Sequence, residues 1–254
     1  MNRDRPTKID DVVEIVNPGG ESSVVLVCEH ASAFIPETFN NLGMTGDALT
    51  SHAAWDPGAM AVARALSQEM DAVLVASRVS RLVYDCNRPP EAEGAMPAKS
   101  EIFDIPGNAN MSQAKRAERA ATYYTPFCDA VTKVLADTSN PTLVTIHSFT
   151  PIYHGARRAV EIGILHDSDT RLADAMLETG ASHSPFVIQR NEPYGPQDGV
   201  THTLLEHGVS CGRPNVMIEI RNDLIKTEDA QRTMAKQLAG WLSEATAKMT
   251  GDAA

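Results

Sequence analysis

Apolar residues along this chain fall into short runs rich in β-branched side chains, separated by longer stretches with helical spacing. Ser23–Cys28, Ala72–Ser77, Leu82–Tyr84, Thr142–Ile146, Val160–Leu165 and Val216–Ile220 are predicted as strands. Several show little polar alternation, as expected of strands covered on both faces. Helices are predicted over Gly58–Met70, Ser112–Ala136, Asp169–Glu178, Gly199–His207 and Thr227–Lys248, with Ser112 and Asp169 as N-caps and Gly208 as a stop. Pro126 falls inside the second helix, where its ring and missing N–H should kink or split it. Strands alternating with helices specify an α/β protein, a mainly parallel sheet wrapped by helices.

In such sheets ligands bind outside the carboxyl ends of the strands, so a polar residue directly after an apolar strand outweighs one on a helix face. Four predicted strands end this way: in Glu29-His30-Ala31-Ser32, in Asp85-Cys86-Asn87-Arg88 (with Arg81 just before the strand), in His147-Ser148 and in Glu219-Ile220-Arg221-Asn222. Burying these groups without partners is costly, so they are expected to share one polar crevice. His30 and His147 can bind a divalent ion as neutral imidazoles, and a carboxylate would complete three protein ligands with a fourth position open to water. A single such histidine would be read as a core residue bonded to backbone; two, accompanied by Glu219, favour a site. His52, His154, His166, His183, His202 and His207 lack that support and read as surface or structural. Glu219, inside an apolar run, is the candidate general base, the alternative being an ion pair with Arg221. Arg81, Arg88 and Arg221 supply forks for an anionic substrate, with Asn87 as an orienting amide. Solvation of Arg81, or a loop anchor from Arg88 to Asp85, remains equally open. The loop Arg190–Pro196, dense in turn residues, either donates hydrogen bonds to substrate through Asn191 and Tyr194 or is a plain surface turn.

Composition narrows the picture. The 254 residues carry 43% hydrophobic content and no linker-like stretch, which implies one domain over 1–254. Residues 1–20 read as an N-terminal extension and the Ala-rich 243–254 as a frayed tail. A net charge of −11 gives no field that attracts nucleic acid or anionic membrane, so a small anionic substrate requires the local arginines. Met1–Asp11 is charged and does not read as a signal peptide, no apolar run is long enough to span a bilayer, and four cysteines lack CxxC spacing. A cytoplasmic protein with free thiols is expected. Nothing in the sequence specifies an oligomeric state.

Together the motifs resemble the N-formylglutamate amidohydrolase family from about Val24 to Trp241: Glu29-His30-Ala31-Ser32 with Ile35-Pro36, Trp55-Asp56-Pro57-Gly58-Ala59, Ser80-Arg81-Leu82-Val83-Tyr84-Asp85-Cys86-Asn87-Arg88-Pro89, His147-Ser148, and Asn191-Glu192-Pro193-Tyr194. In the same chain order, His30, Asp85-Cys86-Asn87-Arg88, His147-Ser148 and Glu219-Ile220-Arg221 look like a remote zinc carboxypeptidase site. The resemblance implies a three-layer α/β/α sandwich with a mostly parallel mixed sheet. It also implies a divalent metal, zinc by preference, and hydrolysis of a small anionic N-acyl amino acid, N-formyl-L-glutamate giving formate and L-glutamate. Carboxypeptidases place a glutamate ligand three residues after the first histidine, where this chain has Ala33. Asp56 then becomes the third ligand beside His30 and His147, unless it caps the helix near Pro57. Glu29 is the alternative, though neighbours on a strand point in opposite directions. A second departure is His30-Ala31-Ser32 in place of His-Ser-Gly. In the implied mechanism Glu219 is base and then acid, Arg81 stabilises the oxyanion, and Arg88, Asn87, Arg221, Asn191, Tyr194 and Ser148 bind substrate. Two rivals remain: a nucleophilic serine at Ser32 or Ser148, which lacks a G-x-S-x-G elbow, and a non-catalytic N-acyl amino acid binder, which would have no need of Glu219.

Overall fold

The computed structural model describes residues 12–251. In chain order its elements begin with strand β1 (Val13–Val16), β2 (Val24–Cys28), helix α1 (Ala59–Met70) and β3 (Val73–Ser77). A small hairpin follows, β4 (Lys99–Ser100) with β5 (Phe103–Asp104), then α2 (Gln113–Arg119), α3 (Thr125–Asp137) and β6 (Thr142–Phe149). A second hairpin pairs β7 (Ile152–Tyr153) with β8 (Ala156–Arg157). Then come β9 (Ile162–Leu165), α4 (Arg171–His183), β10 (Ile188–Arg190), β11 (Asn215–Arg221) and α5 (Glu228–Thr250).

Seven strands form one sheet in the order β1-β3-β2-β6-β11-β9-β10. β3, β2, β6 and β11 run parallel, while β1 against β3 and β9 against β11 are antiparallel. Alternate residues of the central strands feed two apolar layers. Leu26, Leu74, Val144 and Ile218 pack with Leu66 of α1, Met176 of α4 and Leu238 and Trp241 of α5. On the other face Val25, Val27, Val75 and Leu143 pack with Phe127 and Leu135 of α3 and with irregular segments carrying Leu42, Tyr84 and Met96. This is the three-layer α/β/α sandwich that unbroken apolar strands require.

Differences from the sequence reading have local causes. Leu82–Tyr84 is buried but is not a strand: the Ser80 hydroxyl accepts from Leu82 N and the Ser80 carbonyl from Val83 N and Tyr84 N, so these amides are satisfied inside a turn. The helix begun by the Ser112 cap breaks into α2, a π-turn at Ala120–Tyr124 and α3, the wide turn falling just before Pro126, whose ring crowds the carbonyl four residues earlier. Gly199 is left-handed (φ 66°), which rules out a regular helix from there; the helical part is a π-turn at Leu204–Gly208 running on, past the expected stop at Gly208, into a 3-10 turn at Val209–Cys211. Asp169 does not stand at the cap position of α4, which is Thr170, but its carboxylate accepts from Arg171 N. Part of the expected extension, β1, is an edge strand; residues 1–11 lie outside the described residues. α5 is capped by Thr227 and does not fray after Leu242: it continues to Thr250 because Ala245 is buried in the core and Lys248 pairs with Glu178. Residues 252–254 lie outside the described residues. Among the described residues no helix is long and apolar enough to cross a membrane.

Trp241 is fully buried and its indole N–H donates to Met176 O at 2.7 Å, tying α5 to α4. Trp241→Ala should cost about 3–5 kcal/mol of unfolding free energy in urea titration, through the cavity it leaves.

Candidate active site

Three central strands deliver the site. β2 ends at Cys28 and hands over to Glu29 and His30, both buried. β6 runs past its predicted end, so His147, like Glu219, lies within a strand, and the two are direct register partners on adjacent parallel strands. Asp56 is docked onto the end of β2 by its backbone N–H, which donates to His30 O at 3.0 Å. The turn after it needs glycine: Gly58 has φ 85°, and a Cβ there would lie 2.8 Å from Ile225 O. Gly58 is itself the N-cap of α1, without a side-chain cap, so the Asp56 carboxylate is not spent on the helix and is free to face the histidines.

The contacts that result form a tight triangle. Asp56 Oδ2 lies 3.2 Å from His30 Nδ1 and 2.9 Å from His147 Nδ1, and the two Nδ1 atoms are 3.2 Å apart. Ligands about 2.0–2.1 Å from one tetrahedral ion lie roughly 3.3 Å from each other, so these separations fit a shared ion. The far edges of the rings reinforce this. His30 Nε2 meets Asp85 Oδ1 at 2.8 Å, and His147 Nε2 lies 3.1 Å from Glu29 Oε2, close but outside hydrogen-bond geometry. A carboxylate behind each ring, facing Nε2, is the outer-shell arrangement that orients metal-binding histidines, and a proton held on each Nε2 would leave both Nδ1 lone pairs for an ion. The same geometry places Glu29 on the wrong side of the His147 ring to be an alternative to Asp56 as a ligand. Its position as the carboxylate behind His147 was not anticipated, and neither was that of Asp85 behind His30.

Charge follows from the contacts. Burial alone would raise the Asp85 carboxyl, but Arg81 and His30 hold it well below the usual range. Burial likewise opposes charge on His147, yet Glu29 and Asp56 raise its pKa well above that of free imidazole. Glu219 is the opposite case. Burial raises it, His147 pulls it down and Asp56 raises it, leaving it pushed up to about 7, and its Oε2 has no hydrogen-bond partner among the described residues.

A family model of N-formylglutamate amidohydrolase matches residues 22–226. The chain belongs to the N-formylglutamate amidohydrolase family. Among solved structures it is similar to a gene product of Agrobacterium tumefaciens, with 53% identity, coverage of 94% of this chain and 96% of that chain, and a TM-score of 0.91. It also shares its fold with N-formylglutamate amidohydrolase from Ralstonia eutropha JMP134, at 17% identity over 94% of this chain and 99% of that one, with a TM-score of 0.64. No curated protein matches.

In this family member a cavity of about 310 Å³ opens above the triangle, lined by His30, Asp56, Arg81, Asn87, Arg88, His147, Ser148, Tyr194 and Glu219 among others. Arg81 donates to Asp85 Oδ2 at 2.8 Å and reaches Asp56 Oδ1 at 3.5 Å. Arg88 is held by Asp198 O at 2.7 Å, not by Asp85. Asn87 borders the cavity, but its amide is used structurally: Nδ2 donates to Val200 O and Oδ1 accepts from Thr203 N. Two expected substrate contacts are corrected. Arg221 lies off the cavity with its fork committed to Glu161 at 3.0 Å and Asp223 at 2.7 Å, which also removes the ion pair considered for Glu219. Asn191 clamps the end of β9, its N–H on Ile164 O and its Oδ1 accepting from His166 N. Neither serine is bonded to a histidine: Ser148 donates to Pro57 O, and Ser32 accepts from Phe34 N. His52 and Glu101, paired with each other, also line the cavity; nothing in their local sequence marked them, because the contact spans 49 residues and joins a loop to the β4–β5 turn.

Tyr194 reaches the wall because Gly163 makes room. Gly163 is the register partner of Glu219, and a Cβ there would stand 1.9 Å from Glu192 O. The Tyr194 hydroxyl then accepts from Arg158 at 2.9 Å, and the Arg158 guanidinium lies 4.8 Å from the Tyr194 ring centre. Gly163→Ala should displace this loop, costing about 1–3 kcal/mol in urea unfolding.

The titration pattern makes a second prediction, for the metal-free protein. Glu219 binds its proton more tightly folded than unfolded from pH 4.5 to about 7, and His30 and His147 do so from 6.5 upward. Burial lowers the pKa of His202 and His207, which opposes this below about pH 7; above it the folded state holds the excess protons, and stability falls as pH rises. Thermal midpoints of chelated protein should decline from pH 7 to pH 9.

Proposed function

We propose that the chain is a divalent-metal-dependent amidohydrolase that cleaves the amide of a small N-acyl amino acid, the class represented by N-formyl-L-glutamate and its products formate and L-glutamate. What carries the reading is the convergence of His30 Nδ1, His147 Nδ1 and Asp56 Oδ2 beside a buried glutamate with an unpartnered oxygen. Two imidazole nitrogens and one carboxylate oxygen are a donor set suited to catalytic zinc, with a position left for solvent or substrate. Such an ion, when bound, supplies Lewis acidity that polarises the amide carbonyl and makes water a nucleophile near neutral pH.

The protein supplies the rest. Glu219 Oε2 accepts a proton from the attacking water and returns it to the leaving amide nitrogen; a carboxyl raised toward neutrality suits both transfers. Arg81, fixed by Asp85 with part of its side chain open to the cavity, is placed to stabilise charge developing on the carbonyl oxygen. Arg88 presents a guanidinium with no carboxylate partner among the described residues and takes the substrate α-carboxylate. The absence of a serine–histidine contact among the described residues favours this reading over a nucleophilic serine, and the unpaired buried Glu219 favours it over a binding protein.

Glu219→Gln should lower kcat by about 10²–10⁴-fold, with zinc affinity by chelator competition nearly unchanged. Wild-type protein should lose formate release from N-formyl amino acids on chelation and regain it with zinc. Full turnover after metal removal would exclude the mechanism.

A further inference from the structure

Arg158 has no part in the chemistry above, yet it is built firmly into the wall of the cavity. Its backbone closes the base of the β7–β8 hairpin, with its N–H donating to Pro151 O at 2.9 Å. Its carbonyl accepts from Arg221 at 3.3 Å, so the arginine turned away from the cavity anchors this one. The guanidinium donates to Thr150 O at 3.3 Å and to the Tyr194 hydroxyl at 2.9 Å. It also lies 4.5, 4.8 and 5.4 Å from the ring centres of Tyr153, Tyr194 and Phe149. All four of these neighbours line the cavity, and Arg158 stands behind them.

Two features of this cluster are unfinished. Arg81 is neutralised by Asp85, and Arg221 by Glu161 and Asp223, whereas Arg158 pairs with no carboxylate among the described residues. Aromatic faces offset only part of the cost of a half-buried cation, which leaves its charge available to an anion arriving from outside. The second feature is the phenol. A tyrosine hydroxyl accepts through its oxygen and donates one proton. Arg158 takes the accepting side, and the O–H has no acceptor among the described residues. Burial, and then the charge of Glu219, raise the Tyr194 pKa, so that proton stays in place at neutral pH. A hydroxyl that accepts from a cation is in turn the stronger donor.

We infer that Arg158 is a positioning residue that makes Tyr194 a fixed hydrogen-bond donor to the side-chain carboxylate of the substrate, lending its own charge through the phenol. Arg88 holds the α-carboxylate, and the Tyr194 wall reads the second acid. For what occupies the cavity this rests on the proposed amidohydrolase reading.

N-formyl-L-glutamate and N-formyl-L-glutamine match in size and differ in charge, so their ratio of kcat/KM isolates the second acid. In zinc-reconstituted protein the wild type should favour the glutamate compound. Arg158→Met and Tyr194→Phe should each lower kcat/KM for that compound by about tenfold or more, through KM with kcat nearly kept. The glutamine compound should change by less than about threefold, because it lacks the charge that the pair recognises. The double variant should be no worse than the worse single one, since both substitutions remove the same interaction. Additive losses, equal losses on both compounds, or a wild type that does not favour glutamate would each overturn the inference. Should Arg158→Met fail to fold, Tyr194→Phe, which deletes one oxygen, decides alone by whether its loss is confined to the glutamate compound. Calorimetric binding of both compounds to zinc-loaded Glu219→Gln, with and without Tyr194→Phe, reads the same selectivity without turnover. Glutamate binding weakened selectively by Tyr194→Phe, with no hydrolysis by the wild type, would keep the inference and sink the proposed reaction. Hydrolysis of both compounds at a ratio that neither variant changes would do the reverse, and failure of both compounds to bind would overturn the inference.

Discussion

The structure turns on two imidazoles whose Nδ1 atoms face each other at 3.2 Å. Left alone, such rings would rotate apart or share a proton. They stay because each far nitrogen confronts a buried carboxylate, Asp85 for His30 and Glu29 for His147, while Asp56 Oδ2 closes the gap between them. Burying so many acids is expensive, and an unpaired one more so. The sheet absorbs that cost by gathering the acids around three strand ends, where a single displaced member would leave the others uncompensated.

The frame of this arrangement was legible in the sequence and much of its wiring was not. Largely apolar runs at 24–28, 142–146 and 216–220 announced strands buried on both faces, and polar residues at or near their ends put His30, His147 and Glu219 near one crevice. Asp56 came only from its motif, since no pattern of periodicity distinguishes a carboxylate that caps a helix from one released by a left-handed Gly58. The arginines show the limit most clearly. Arg81, Arg88 and Arg221 look alike at strand ends, yet Glu161 and Asp223 claim the last, and the pairing with Glu161 across 60 positions leaves no local signature. Leu82–Tyr84 misled for a related reason: its burial comes from packing under the second layer, while Ser80 holds its amides in a turn.

The antiparallel strand β9 gives the site its asymmetry. On one side of β11, parallel β6 sets His147 beside Glu219; on the other, Gly163 offers only backbone, and the Glu192–Tyr194 segment fills the gap. Glu219 is thus enclosed by a ligand candidate on one flank and a loop on the other, which accounts for its burial without any salt bridge.

Cys28 stands immediately before Glu29, fully buried, and desolvation keeps its sulfur protonated. The candidate centre therefore offers nitrogen and oxygen only, with no soft thiolate to discriminate among late transition metals. A site of that composition ranks divalent cations by the Irving–Williams series. Copper would then outcompete zinc at equal activity, so that supply in the surroundings bears on which element occupies the protein.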